Sequence, residues 1–145
     1  MPDYERMLNE MERRALEMLL AGEDDRLAVL RAQLNGASVA RRELSGAGFF
    51  AHLSIPASLS RLHERKQLII GDLYSELAGL QHPAGFLLFV TDGILDFLEC
   101  FIVDDRWPET ATLRRLYYVR PAAPGSASLI ETKERDLGWA LRDAG

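Results

Sequence analysis

Cysteine occurs once in 145 residues, at Cys100, so the chain has no intrachain disulfide and no set of thiolates for a metal cluster. That usage suits a reducing compartment, and a cytoplasmic location is expected. Lysine is nearly missing: Lys66 and Lys133 are the only two among 17 basic side chains, against 22 acidic ones, for a formal charge of -5. The basic footprint that follows a phosphate backbone is absent, which argues against nucleic acid as a partner. Long apolar runs are also missing. The most apolar stretch, Gly85 to Phe101, is interrupted by Asp92, Asp96 and Glu99, a poor match to the roughly 20 residues of a membrane helix. The opening Met1-Pro2-Asp3-Tyr4-Glu5-Arg6 places charge where a secretion signal needs about 7 to 15 apolar residues. What is present, 48% hydrophobic residues in a chain of this length, is enough for one ordinary core.

The first third reads as two helices. Met7, Met11, Ala15 and Met18 recur at helical spacing behind Asp3, with Leu8, Leu16, Leu19 and Leu20 widening the stripe and Gly22 as terminator. A second helix is expected from Asp24 or Asp25, with Leu27, Leu30 and Leu34 facing inward and Asn35-Gly36 closing it. At this spacing a methionine-rich face is read as core in preference to a binding groove.

From Val39 the period changes to two, so that Phe49, Ala51, Leu53 and Ile55 share one strand face and Phe50, His52 and Ser54 the other. Gly46 and Gly48 fit a turn or bulge before Phe49. Leu68 to Ile70 begins another strand, and charged residues 58–66 form a solvated connection. Asp92-Gly93 between apolar runs is the strongest local signal, because a two-residue hairpin turn needs two positive φ angles. Simple pairing about that turn sets Val90 opposite Leu95, Leu88 opposite Phe97 and Phe86 opposite Glu99. Both faces of this hairpin are then largely apolar, and a sheet of that kind needs two covers. The helices supply one; a curled sheet, the C-terminal segment or a second subunit would supply the other. Residues 113–119 offer a last strand. Leu129, Ile130, Lys133, Leu137 and Leu141 suggest a short amphipathic helix beyond Pro121, Pro124 and Gly125.

The expected fold class is therefore α+β: an N-terminal helical hairpin packed on a largely antiparallel sheet, a meander, with an accessory C-terminal segment. Residues 1–120 form the domain and 121–145 a Pro/Gly linker with that segment.

Two residues are candidates for catalysis. Glu99 shares a strand face with Phe97 and Phe101, and a carboxyl desolvated there serves as a general acid or base; the alternative is a structural pair with Arg41, Arg42, Arg114 or Arg115. His52, on the face of Phe50, is placed to meet Glu99 across the sheet, or to be a satisfied structural histidine. The three histidines, His52, His63 and His82, are too far apart in sequence for a prebuilt metal site, and no cofactor is expected. Cys100 alternates to the opposite face, where burial leaves a thiol inert. For binding, Trp107 and Tyr118 beside Asp104, Asp105 and Arg106 form either an aromatic recognition surface ringed by charge or a packed corner.

The segments Leu20-Ala21-Gly22-Glu23-Asp24-Asp25, Gly46-Ala47-Gly48-Phe49-Phe50-Ala51-His52, Gly85-Phe86-Leu87-Leu88-Phe89-Val90 and Leu98-Glu99-Cys100-Phe101 through Trp107-Pro108-Glu109 resemble a family of small uncharacterised bacterial proteins. The resemblance spans roughly residues 16–120 and implies a small cytoplasmic α+β domain with a link to toxin-immunity proteins; it transfers no catalytic residue. In the family pattern a small residue such as glycine is expected where Cys100 stands. The leading functional expectation is a non-enzymatic binding protein, an immunity-type inhibitor being one form. Its acidic charge would steer it toward a basic protein partner. A small hydrolase or isomerase using Glu99 and His52 is the alternative, and a homodimer through the doubly apolar sheet fits either.

Overall fold

The computed structural model describes residues 3–103 and 105–142. Two helical layers of sequence, α1 (Asp3–Arg6) with α2 (Glu10–Leu19), and α3 (Asp25–Asn35), precede seven strands and a short α4 (Leu137–Ala140). The strands are β1 (Ser38–Leu44), β2 (Gly48–Ser54), β3 (Leu68–Leu77), β4 (Ala84–Thr91), β5 (Ile94–Phe101), β6 (Leu113–Pro121) and β7 (Leu129–Thr132). They form one sheet in the order β1-β2-β5-β4-β3-β6-β7, with every pair antiparallel. The chain is thus α+β with an antiparallel sheet. Only β3, β4 and β5 run as a meander: residues 55–67 join β2 to β3 past the Asp92-Gly93 end of that unit and residues 102–112 join β5 to β6 past its other end. No described helix is long and apolar enough to cross a membrane.

The expected first helix is broken. Asn9 caps α2 by accepting from the Glu12 amide at 2.8 Å, and Glu12 returns a bond to the Asn9 amide at 2.9 Å. This reciprocal cap starts a new helix in mid-stripe. Arg42 on β1 locks the break: its guanidinium donates to both Glu12 oxygens at 2.8 Å and to the carbonyls of Glu5 and Met7. Met7 is consequently 63% exposed, whereas Met11 and Met18 pack on the core.

The sheet organises the helical layer. Helix α2 lies on β3 and β4 while α3 lies on β5. Between these layers Leu16, Leu19, Leu20, Leu27 and Leu30 meet Ile70, Leu73, Phe86, Leu88, Leu98 and Cys100, all fully buried. One polar side chain sits at this seam. Gln33 of α3 accepts from the Leu95 amide at 2.9 Å and donates to the carbonyls of Ser60 and Gly93, tying helix, turn and crossing loop together.

The Asp92-Gly93 turn has positive φ at both residues, 54° and 78°. Beyond it the simple pairing fails. Val90 does oppose Leu95, but a bulge places Phe89 opposite Phe97, Leu88 opposite Leu98, Leu87 opposite Glu99 and Phe86 opposite Cys100. The extra residue, Asp96, slips everything after it by one position, and a one-residue slip exchanges the faces of a strand. Phe97, Glu99 and Phe101 therefore lie on the side away from the helices.

The C-terminal helix is also shorter than expected. Residues 129–132 form β7 against β6, and Leu129 and Ile130 are exposed. Past β7 the chain folds back to the core through Arg135, which grips the buried Asp72 of β3 with two bonds of 2.8 Å and caps the α2 end at Ala21.

Candidate functional site

The helix-free side of the sheet is the site the fold builds. Register pairs place Phe50 and His52 (β2), Phe97, Glu99 and Phe101 (β5), Leu87 and Phe89 (β4), Tyr74 (β3) and Tyr117 (β6) on it. All are half-buried and no described element covers them. The rings form two groups on either side of Leu87 and Glu99: Phe89 stacks on Phe97 at 4.3 Å and Phe97 meets Phe50 at 6.0 Å and His52 at 5.4 Å, while Tyr74 lies near Phe101 and Tyr117. Gly85 leaves room for the Phe101 ring to lie across β4, since a Cβ there would meet the ring edge unless the ring moved. Apart from Glu99, and Asp96 near the turn, the charged groups of this face stand at its two borders. On one, Arg41 pairs with Glu43; on the other, Arg115 bonds Glu76 at 2.9 Å and Glu131 at 2.7 Å while its guanidinium lies over Tyr117.

Glu99 sits in the middle of this face. Its carboxyl has no ion pair or hydrogen bond among the described residues. Arg41, Arg42 and Arg115, expected as partners, are engaged with Glu43, Glu12 and Glu76 with Glu131. Burial between its apolar neighbours pushes the carboxyl above its ordinary value. His52 is on the same face, diagonal to Glu99 because Phe50 opposes Glu99 and Phe97 opposes His52. The two residues are not hydrogen-bonded to each other. His52 Nε2 is buried, has no hydrogen-bond partner among the described residues, and approaches Glu43 at 3.5 Å.

The loop expected to bind is divided. Trp107 packs edge-on against Phe49 at 5.4 Å and donates its amide to Gly46, a packed corner that anchors the loop joining β5 to β6. Tyr118 points toward the helices and donates to the Met18 carbonyl at 2.7 Å beneath Arg135. Asp105 and Arg106 are exposed, and Asp104 lies outside the described residues. These groups do not converge on one surface. Cys100 is buried under the helices, and burial together with the nearby Glu99 charge drives its thiol well above the ordinary value.

A cleft lies elsewhere, between the α2 start and residues 109–113. It encloses about 590 Å³ and is lined by Met11, Arg14, Phe49, Glu109 and Leu113 among others. It includes neither Glu99 nor His52. Among the described residues no three His, Cys, Asp or Glu side chains group as metal ligands.

Sequence reasoning had the aromatic residues but divided them between two faces. Hydrophobic alternation alone was consistent with either assignment, and the bulge at Asp96 decides it. No family model, curated protein or solved structure matches this chain.

Proposed function

We propose that this chain is a small non-enzymatic interaction protein and that its contact surface is the open aromatic face. The observation that carries this reading is the placing of two aromatic groups, Phe50, Phe89 and Phe97 with Phe101, Tyr74 and Tyr117, on the side of the sheet away from the helices. Continuous apolar patches on folded proteins mark interaction sites, and aromatic side chains dominate the energy of such contacts. The charged borders then form the polar rim. Setting the protein in the cytoplasm agrees with its single buried free thiol. Immunity-type inhibition is one role open to such a module. The Glu99–His52 enzyme has less support, because these side chains are not hydrogen-bonded to each other and the cleft near Arg14 and Glu109 includes neither.

Carbene footprinting of the tagged chain in native cell extract and after dilute purification tests the reading. Protection in extract is expected at Phe89, Phe97 and Tyr74. Equal labelling of these residues in both samples, or protection confined to the cleft near Arg14 and Glu109, refutes it.

A further inference from the structure

Resting on the open face as the contact surface, we infer that its occupant is a second copy of this chain, docked face to face so that the two sheets stack as layers of a sandwich. The first support is area. Six strands, β1 to β6, of seven to ten residues each, at a spacing of about 4.8 Å and a rise of about 3.3 Å per residue, present about 750 Å². A stable specific interface takes about 800 Å² from each partner. Two antiparallel sheets with apolar faces pack in this way, about 10 Å apart and with strand directions offset by about 30°. The second support is the charge pattern. Both border arginines are already paired within the chain, so among the described residues the face presents no unpaired arginine or lysine to select an acidic partner. An apolar partner face with its own neutralised border matches it, and this chain's own face has that character.

Glu99 gives the arrangement a signature. Any face-to-face dimer that covers Phe97 and Phe101 also covers the carboxylate between them. With Arg41 and Arg115 of the second copy held by their own carboxylates, the covered Glu99 carboxylate takes up a proton on association. The other titratable groups on this face are His52 on β2, Tyr74 on β3, Tyr117 on β6, Asp96 near the turn, and the border sets Arg41 with Glu43 and Arg115 with Glu76 and Glu131. Self-association therefore strengthens as pH falls through the carboxylate's range. A basic partner that salt-bridged Glu99 would show the opposite slope, binding more weakly in acid.

The test is sedimentation velocity on the full chain from micromolar to near-millimolar concentration, at mildly acidic and mildly alkaline pH. The expected result is a monomer–dimer equilibrium whose Kd is lower in acid. Glu99→Gln should tighten the dimer in alkali and flatten the pH dependence; His52→Gln separates the histidine contribution. Phe97→Glu and, independently, Phe89→Glu should raise Kd by at least about 30-fold with native circular dichroism retained. Arg14→Gln, at the cleft, should leave Kd unchanged. A chain that is monomeric throughout overturns the second copy as occupant. If the extract footprint still shows protection, the contact face stands with a different partner; if it does not, both readings fall. A dimer indifferent to both Phe97→Glu and Phe89→Glu, or one that weakens in acid, also overturns the inference.

Discussion

Replacing Arg135 by methionine tests how the C-terminal segment is held to the core. The Arg135 guanidinium donates from Nε and Nη2 to the two oxygens of Asp72 at 2.8 Å each and from Nη1 to the Ala21 carbonyl at 2.7 Å, and it lies over the Tyr118 ring. Asp72 is fully buried and the Arg135 side chain only 8% exposed, so neither charge is shared with water. Methionine fills the space and removes the charge. A buried carboxylate is then stranded in β3 and the end of α2 loses its cap. Breaking a buried pair from one side costs about 3 to 5 kcal/mol. At about 2 to 4 °C per kcal/mol for a chain near this size, the melting midpoint should fall by about 6 to 20 °C. Urea denaturation followed by circular dichroism measures the loss. The companion variant Asp72→Asn with Arg135→Met should recover part of it, since a neutral amide is less costly to strand than a carboxylate. If Arg135→Met lies within about 1 kcal/mol of the native chain, or the double variant is as unstable as the sum of the singles, the clasp does not have the role assigned to it.

Two further outcomes follow from buried polar groups. Gln33→Leu removes the acceptor for the Leu95 amide and the donor for the Ser60 and Gly93 carbonyls, and should cost about 2 to 4 kcal/mol in the same urea assay, with a neutral result excluding Gln33 as the stitch between α3 and the turn. Glu99→Gln should stabilise the dilute monomer at neutral pH: burial raises the folded carboxyl above its unfolded value, so between the two values the folded chain holds a proton the unfolded chain has released. Native stability therefore falls as pH rises through that window, and the advantage of glutamine should vanish in acid; an equal advantage at every pH would contradict it.

The parts of this fold visible in the sequence are those set by local chemistry. Asp24 as cap and Asn35-Gly36 as terminator bound α3 where the structure has it, and Asp92-Gly93 turns the hairpin with the expected positive φ angles. The burial of Cys100 followed from alternation along β5. The break before α2 was also legible in principle, because Asn9-Glu10-Met11-Glu12 contains an asparagine and a glutamate three positions apart. A longer methionine stripe running through it concealed the signal. Other features depend on residues far apart. Asp72 interrupts an apolar strand for a reason found only in Arg135, 63 positions later, and Gln33 is a polar residue in a helical core stripe whose partners lie on the crossing loop and the turn. The strand at β7 escaped helical periodicity because its neighbour β6 supplies the pairing.

The bulge at Asp96 has the largest functional consequence of these non-local features. Without it, the turn would carry Phe97 and Glu99 onto the side of Leu88 and Phe86, beneath α2 and α3, and a carboxylate there would need an internal cation. With it, Leu98 and Cys100 enter the core and Phe97, Glu99 and Phe101 join Phe89 and Leu87 on the open side. The Thr91 hydroxyl donates to the Asp96 carboxylate at 2.8 Å, so the inserted residue is held where it re-aims the strand. One inserted residue thus converts a buried hairpin into a sheet with a helical cover on one side and an aromatic contact surface on the other. The unpaired Glu99 belongs to that surface, not to the core, which is why its protonation is expected to report on what the surface meets.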